Sequence, residues 1–257
     1  MLLMAVDIGN TNVVIGFIDD GRIAGTYRIT TKANHTSDEY GLMITQFLAL
    51  SGYKPADVDD VIISSVVPKV MHSFRASIVK FLDIDPMIVG PGIKTGLNIR
   101  MDNPQNMGAD CIADCAGAYY EYGGPILVAD FGTATTMSAV TAHGEFLGGC
   151  ILPGVRVAVD ALTERAAKLP KIDLELPKSV IGRNTVSCMQ AGLLYGYVGQ
   201  LEYLVSAFKQ EMNAPQARVV ATGGMSGVIA GMTKCINITD RLLTLEGLRI
   251  LYKLNAG

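Results

Sequence analysis

The chain opens on short apolar runs with strand character. Residues 2–8 and 12–18 are β-rich and are split by Gly9-Asn10-Thr11, and Asp19-Asp20-Gly21 then turns the chain into a third run, Arg22 to Ile29. This turn chemistry predicts a β-meander. The period next becomes helical. Thr36-Ser37-Asp38-Glu39 has the form of a capping box, Tyr40, Leu42, Met43, Phe47 and Leu50 follow at helical spacing, and Gly52 is a stop. A buried strand is predicted over Val61 to Val67, ended by Pro68, then a helix over residues 69–82 and a short strand at 87–89. Pro91 to Pro104, rich in Gly, Asn and Pro, is predicted to be a functional loop or connector. A helix over 107–122 closes at Gly123-Gly124-Pro125.

The opening pattern then returns. Ile126 to Gly132 resembles Leu3 to Gly9, and Asp130 stands 123 residues after Asp7. At the same offset Gly132 matches Gly9, Gly144 matches Gly21 and Gly148 matches Gly25. Matches at turn residues point to an internal duplication. Two related α/β domains are expected, 1–123 and 124–257, with a boundary near 123–125. The second half continues with predicted helices near 154–168 and 185–212, a strand at 218–222 running into Gly223-Gly224, and a last helix over about 243–254.

Composition narrows the classes. Apolar residues are 49% and charged residues 18% of 257, which suits a globular protein with a large core. The net charge of −3 and the lack of an aromatic-interleaved basic patch argue against nucleic acid as a partner. No apolar run reaches the roughly 18 residues of a membrane span, and the apolar start has no basic n-region. Five scattered cysteines without CxxC and three isolated histidines make a structural zinc site unexpected. A cytoplasmic protein with reduced thiols is expected. Cys111 and Cys115 lie one helical turn apart. A redox switch is conceivable there, but buried thiols are the simpler reading.

An Asp at the end of a buried strand, followed by a Gly-rich turn, is a way of handling phosphate. Glycine lets backbone N–H groups approach phosphate oxygens, Asn and Thr add donors, and the carboxylate can hold Mg²⁺ against a nucleotide. A single Asp7-Ile8-Gly9-Asn10-Thr11 is equally well an Asx-turn in a hairpin. Its repetition as Asp130-Phe131-Gly132-Thr133-Ala134-Thr135-Thr136 favours the phosphate reading. A third glycine element, Ala221-Thr222-Gly223-Gly224, suits contact with the nucleoside. Neither GxGxxG nor GxxxxGK[ST] is present, so the Rossmann and P-loop fingerprints are missing.

Two D-x-G hairpins and a late T-G-G resemble the acetate and sugar kinase/Hsp70/actin superfamily. Within it, the ordered set of motifs is similar to type III pantothenate kinases. The set comprises Asp7-Ile8-Gly9-Asn10-Thr11-Asn12, Asp102-Asn103-Pro104, Gly108-Ala109-Asp110, Asp130 to Thr136, Gly148 to Gly154, Arg183-Asn184-Thr185, Thr222-Gly223-Gly224 and Leu243 to Leu248. The resemblance implies duplicated actin-like (ribonuclease H-like) α/β domains with a nucleotide cleft between them. It implies ATP-dependent phosphorylation of pantothenate, the first step of coenzyme A synthesis, by a homodimer with a shared site. By the same resemblance, Asp7, Ile8, Gly9, Asn10, Thr11, Asn12, Val13 and Val14 bind the ATP phosphates, and Asp7 carries Mg²⁺ through the nucleotide. Thr133 touches the nucleotide, and Asp130 holds a monovalent cation, K⁺ or NH₄⁺. Asp110 is the general base, Gly108 and Ala109 line the substrate pocket, and Thr185 reaches the pantothenate site across the dimer interface. Plainer roles stand beside these. Asp110 and Asp114 suit a first helical turn, Asp130 suits a turn, and Thr185 suits a helix N-cap.

Two departures fall on the acceptor side. The family's Arg after the base is Cys111 here, and the Tyr before D-N-P is Met101. In the family both help hold the substrate, and a Cys cannot replace a bidentate guanidinium. Two alternatives therefore accompany the kinase reading. One is a weakly active or non-catalytic paralogue serving as a nucleotide-binding partner or regulatory subunit. The other is a kinase for a different hydroxylated acceptor.

Overall fold

The computed structural model describes residues 1–256. Two mixed sheets carry the fold. The first is built from β1 (Leu2–Ile8), β2 (Asn12–Asp19), β3 (Arg22–Thr30), β4 (Val58–Ser65) and β5 (Met87–Ile88), in the order β3-β2-β1-β4-β5. β1 is antiparallel to β2 and parallel to β4. The second contains β6 (Asn98–Ile99), β7 (Ile126–Phe131), β8 (Ala134–Val140), β9 (Glu145–Pro153), β10 (Arg218–Thr222) and β11 (Ile238–Thr239), in the order β11-β10-β7-β8-β9-β6. Leaving out β6, the order and directions match strand for strand. This is the duplication that the glycine matches predict.

The repeat is offset in its middle strand. Val6 pairs with Ile15 in the first hairpin, whereas Ala129 pairs with Met137 in the second. The D-x-G turn of the second hairpin is thus one residue shorter. The next turn is one longer, which brings β9 back to the 123-residue offset from β3. A bulge lies between Phe17 and Ile18 and another between Ala139 and Val140, so the irregularity is also duplicated.

The helices are α1 (Ser37–Leu50), α2 (Pro68–Leu82), α3 (Ala109–Tyr122), α4 (Val155–Arg165), α5 (Thr185–Glu211), α6 (Ser226–Ala230) and α7 (Leu243–Asn255). α1 begins at the expected capping box, with Glu39 N–H donating to Thr36 Oγ1 at 3.2 Å and Thr36 N–H to Glu39 Oε2 at 2.7 Å. Its buried face matches expectation in part. Tyr40, Met43 and Phe47 pack on the core as expected, Ile44 and Leu48 are buried beside them, and Leu42 and Leu50 are exposed. The reason is tertiary: Gly41 lies against the Phe81 ring on α2, and that contact sets the rotation of the helix.

The chain divides into two compact units. One holds residues up to Asn98, then Asp102–Tyr120, and the C-terminal stretch from Leu242. The other holds Ile99–Met101 and Glu121–Arg241. The expected contiguous division into 1–123 and 124–257 leaves out this return of α7 to the first unit. There Leu245, Leu248, Leu251 and Tyr252 of α7 pack with Leu3, Ala5 and Ile62 of the sheet and with Ile112, Ala113 and Ala116 of α3. In the second unit, Leu194, Tyr197, Val198, Leu201 and Val205 of α5 cover Leu127, Ala129, Phe131, Val219 and Ala221. Among the described residues no helix is long and apolar enough to cross a membrane. No disulfide joins the cysteines.

Candidate active site

In the first unit, Asp7 ends β1 opposite Ser64 of β4, and the buried Ser64 Oγ donates to Asp7 Oδ1 at 2.9 Å. The turn that follows is braced. Gly9 N–H donates to the Asn12 carbonyl at 3.0 Å, Thr31 Oγ1 to the Gly9 carbonyl at 2.7 Å, and Thr31 N–H to the Thr11 carbonyl at 3.0 Å. Asn10 and Thr11 are exposed at its tip. Ile8 and Val13 have fully buried core side chains, so only their backbone can face a ligand. Ser64 and Thr31 were not singled out from the sequence. Ser64 becomes visible only once β4 is aligned with β1.

Burial pushes the Asp7 carboxyl up to about 7, against the opposing pull of the Ser64 hydrogen bond and with a further push from the charge of Asp110. Asp110 thus lies within electrostatic reach of Asp7, 103 positions away in sequence. It stands in the first turn of α3, where the helix N-terminus favours a carboxylate. Its Oδ1 accepts the Cys111 N–H at 2.7 Å. A methyl group added to Gly108 would lie 2.5 Å from that same oxygen, so the glycine is what leaves the carboxylate its place. Ala109 is buried beneath it and Cys111 is half-buried.

In the second unit, Asp130 ends β7 between Thr136 and Thr222. Gly223, at φ +86°, lies so near the Asp130 carboxylate and the Phe131 backbone that a side chain there would collide with both. Thr133 is exposed at the tip of the shorter turn, and its carbonyl accepts the N–H of Gly154, the N-cap residue of α4, at 3.1 Å. Tyr197 stands beside this strand end. Burial pushes its hydroxyl up, the Thr135 hydroxyl lowers it, and the charge of Asp130 raises it.

Two further predicted residues are Met101 and Thr185. Met101 is half-buried. Its neighbour Arg100 is paired at the surface, with Nη2 at 2.6 Å and Nε at 3.0 Å from Glu145 Oε1. Thr185 is exposed at the start of α5. The N-cap role considered for it belongs to Asn184, whose side chain accepts Ser187 N–H at 2.9 Å.

The arrangement suits a divalent ion only in part. Asp7 is a lone carboxylate at a strand end, costly to ionise without a cation. Among the described residues no three His, Cys, Asp or Glu side chains converge as a metal cage. The residues therefore fit an ion that arrives with the nucleotide and takes most of its ligands from phosphate and water.

Duplicated sheets of this order, each with an Asp at the end of its first strand, define a class: the duplicated actin-like α/β fold. A ROK family glucokinase from Streptomyces griseus, solved with glucose and AMPPNP, superposes with a TM-score of 0.53 at 15% identity, covering 100% of this chain and 99% of that one. The family is narrower. A family model described as type III pantothenate kinase matches residues 3–207. A type III pantothenate kinase of Bifidobacterium adolescentis is 71% identical over 255 residues, covering 99% of both chains. One of Bifidobacterium longum is 57% identical over 254 residues, again covering 99% of each. The chain belongs to the type III pantothenate kinase family.

Proposed function

We propose that this chain transfers the γ-phosphoryl group of ATP to the primary hydroxyl of pantothenate, the first step of coenzyme A synthesis. The reading is supported by the relationship of the chain over its full length to pantothenate kinases, together with Asp110 lying within electrostatic reach of Asp7. Asp110 accepts the hydroxyl proton as the oxygen attacks γ-phosphorus. The bond to the β–γ bridging oxygen breaks, and ADP and 4′-phosphopantothenate leave. Such a reaction needs positioning and charge neutralisation rather than covalent catalysis.

The braced turn from Gly9 to Asn12 presents backbone N–H groups and the Asn10 and Thr11 side chains to the phosphates, with Ile8, Val13 and Val14 contributing main chain. Mg²⁺ bound with the nucleotide would neutralise phosphate charge near Asp7. Thr133 contacts the nucleotide, and the Asp130 carboxylate with the surrounding turn carbonyls suits a monovalent cation. Gly108, Ala109 and Cys111 border the acceptor in the first unit, and Met101 is the further acceptor residue that the family resemblance implies. Thr185 serves a partner protomer's site in a homodimer. In support of the dimer, Gly192, Gly196 and Gly199 line an exposed face of α5 with open space beside each. Glycine costs about 1 kcal/mol against alanine inside a helix, and no internal contact of this chain explains that cost here. Thiols without disulfides suit the reducing cytoplasm.

The test is direct. Purified protein given ATP, Mg²⁺ and pantothenate should yield a product heavier by one phosphoryl group by mass spectrometry, faster in K⁺ or NH₄⁺ than in Na⁺. No product in any salt would overturn the reading, and equal rates in all three salts would remove the cation from Asp130.

The acceptor pocket gives a further prediction. Arg100, the neighbour of Met101, is paired with Glu145. Cys111→Arg with Met101→Tyr is expected to lower the KM for pantothenate about tenfold, the worth of one charge-assisted hydrogen bond, with the KM for ATP unchanged. If the wild type already saturates at low pantothenate and the double variant does no better, another group holds the acceptor. If the double variant instead loses a stronger activity on another hydroxylated compound, the different-acceptor reading is correct.

A further inference from the structure

We infer that the Asp114–Thr244 contact makes α7 the positioning element for the base, so that the C-terminal helix is part of the catalytic apparatus. The inference rests on Asp110 being that base. Asp114 lies one turn after Asp110 on α3 and is buried, with 3% exposure. Its Oδ1 accepts the Thr244 hydroxyl at 2.6 Å, across 130 positions of sequence. The seam around this bond is apolar and close. A methyl group on Gly117 would lie 2.9 Å from the Leu243 carbonyl, and one on Gly247 would run into the Ala113 carbonyl.

A carboxylate in such a seam is not the most stabilising choice. Burying it has a desolvation cost that an apolar residue of similar volume avoids. What it supplies is register. The directional bond to Thr244 joins the close packing at Gly117 and Gly247 in fixing the rotation of α3 and its slide along α7. α7 is itself tied to the sheet that carries Asp7. Tyr252 Oη donates to Asp60 Oδ2 of β4 at 2.9 Å. The end of α7 is held by the loop after β5, where Asn255 Nδ2 donates to the Lys94 carbonyl and Asn255 Oδ1 accepts the Lys94 N–H, each at 2.9 Å. Leu245 presses on Gly16 of β2. A rigid path therefore runs from the sheet through α7 and the Thr244 hydroxyl to Asp114, and one turn back to Asp110. In phosphoryl transfer a misplacement of about 1 Å can cost on the order of 100-fold in rate, so this register bears on turnover more than on binding.

The experiment is a mutant cycle on the full chain. Thr244→Val keeps the shape and removes the hydroxyl. It is expected to lower kcat at least tenfold with the KM for ATP within about twofold, while Thr244→Ser, which restores the donor, recovers kcat to within about threefold of wild type. Because the effect passes through Asp110, Thr244→Val should cost little further in an Asp110→Asn background. A Thr244→Val protein with lowered melting temperature but unchanged kcat would overturn the inference, as would full additivity with Asp110→Asn. Should Thr244→Val fail to fold, Thr244→Ala provides the comparison: kcat should again fall at least tenfold with the KM for ATP within about twofold, and an unchanged kcat would overturn the inference. If Asp110→Asn alone keeps full turnover, the base assignment has failed, which is a different result from failure of the latch.

Discussion

Asp110→Asn is expected to lower turnover by about 10²–10⁴-fold, the usual worth of a general base, while ATP binding stays near the wild-type value. The substitution is conservative in every respect but one. Asn keeps an oxygen able to accept the Cys111 N–H, which Asp110 Oδ1 now accepts at 2.7 Å, and it fits beside Gly108 as Asp does. What it loses is the ability to take a proton. A second readout follows from the electrostatics. The charge of Asp110 contributes to the raised pKa of Asp7, so its removal should move the pH midpoint for Mg·ATP binding downward. Calorimetric titration of Mg·ATP into both proteins between pH 5.5 and 8.5, paired with single-turnover kinetics, measures both effects. Full turnover in the Asn variant would exclude Asp110 as the base.

Asp7→Asn is expected to make the protein more stable and nearly inactive. In the folded chain burial raises the Asp7 carboxyl from its ordinary 3.8 to about 7. The folded state therefore holds a proton that the unfolded chain has already released. Stability is full below about pH 4 and is lost as pH rises through about 7, at a cost of up to about 4 kcal/mol above that range. Asn avoids the cost. The variant should melt several degrees above wild type at pH 8 and at the same temperature near pH 4. It should also lose at least about 100-fold in turnover, because the negative charge beside the phosphates and their cation is gone. The same linkage governs the ligand. Wild-type affinity for Mg·ATP should rise as pH passes upward through 7, by as much as about tenfold per pH unit on the acid side, because the proton on Asp7 must leave. Thermal melts and nucleotide titrations over the same buffers test both. A variant destabilised at pH 8, or an affinity indifferent to pH, would show that the Asp7 carboxyl is not held protonated.

Much of this was legible in the chain, for a physical reason. Turns and helix starts are governed by residues within three or four positions of each other. Hence the capping box at Thr36 forms as expected, Gly9 and Gly132 form matching D-x-G turns, and the strand following each second turn keeps the 123-residue offset. The repeated Asp7 and Asp130, the base candidate Asp110 and the late Thr222-Gly223-Gly224 are short motifs, and the resemblance that they carry agrees with the family to which the chain belongs.

Local pattern ran out wherever the partner is far away in sequence. On α1 the spacing predicts Tyr40, Met43 and Phe47 at the core correctly, but Leu42 and Leu50 are exposed and Ile44 and Leu48 are buried, because Gly41 lies against Phe81 of another helix. Thr185 looked like an N-cap, and the cap is Asn184, because backbone geometry at the helix start chose between adjacent polar residues. Ser64 carried no signal until β4 lay beside β1. Asp114 looked like an ordinary first-turn acid. Only the return of α7 to the first unit buries it and gives it the Thr244 hydroxyl. The sequence alone determined the two D-x-G turns, the base candidate and the duplicated sheets, since these rest on backbone preferences and on an internal comparison. The tertiary structure decided which carboxylate lies in the field of which, and that α7 packs on α3 with Thr244 bonded to Asp114. Burial and hydrogen bonding across roughly 60 to 190 positions leave no periodic trace in a chain.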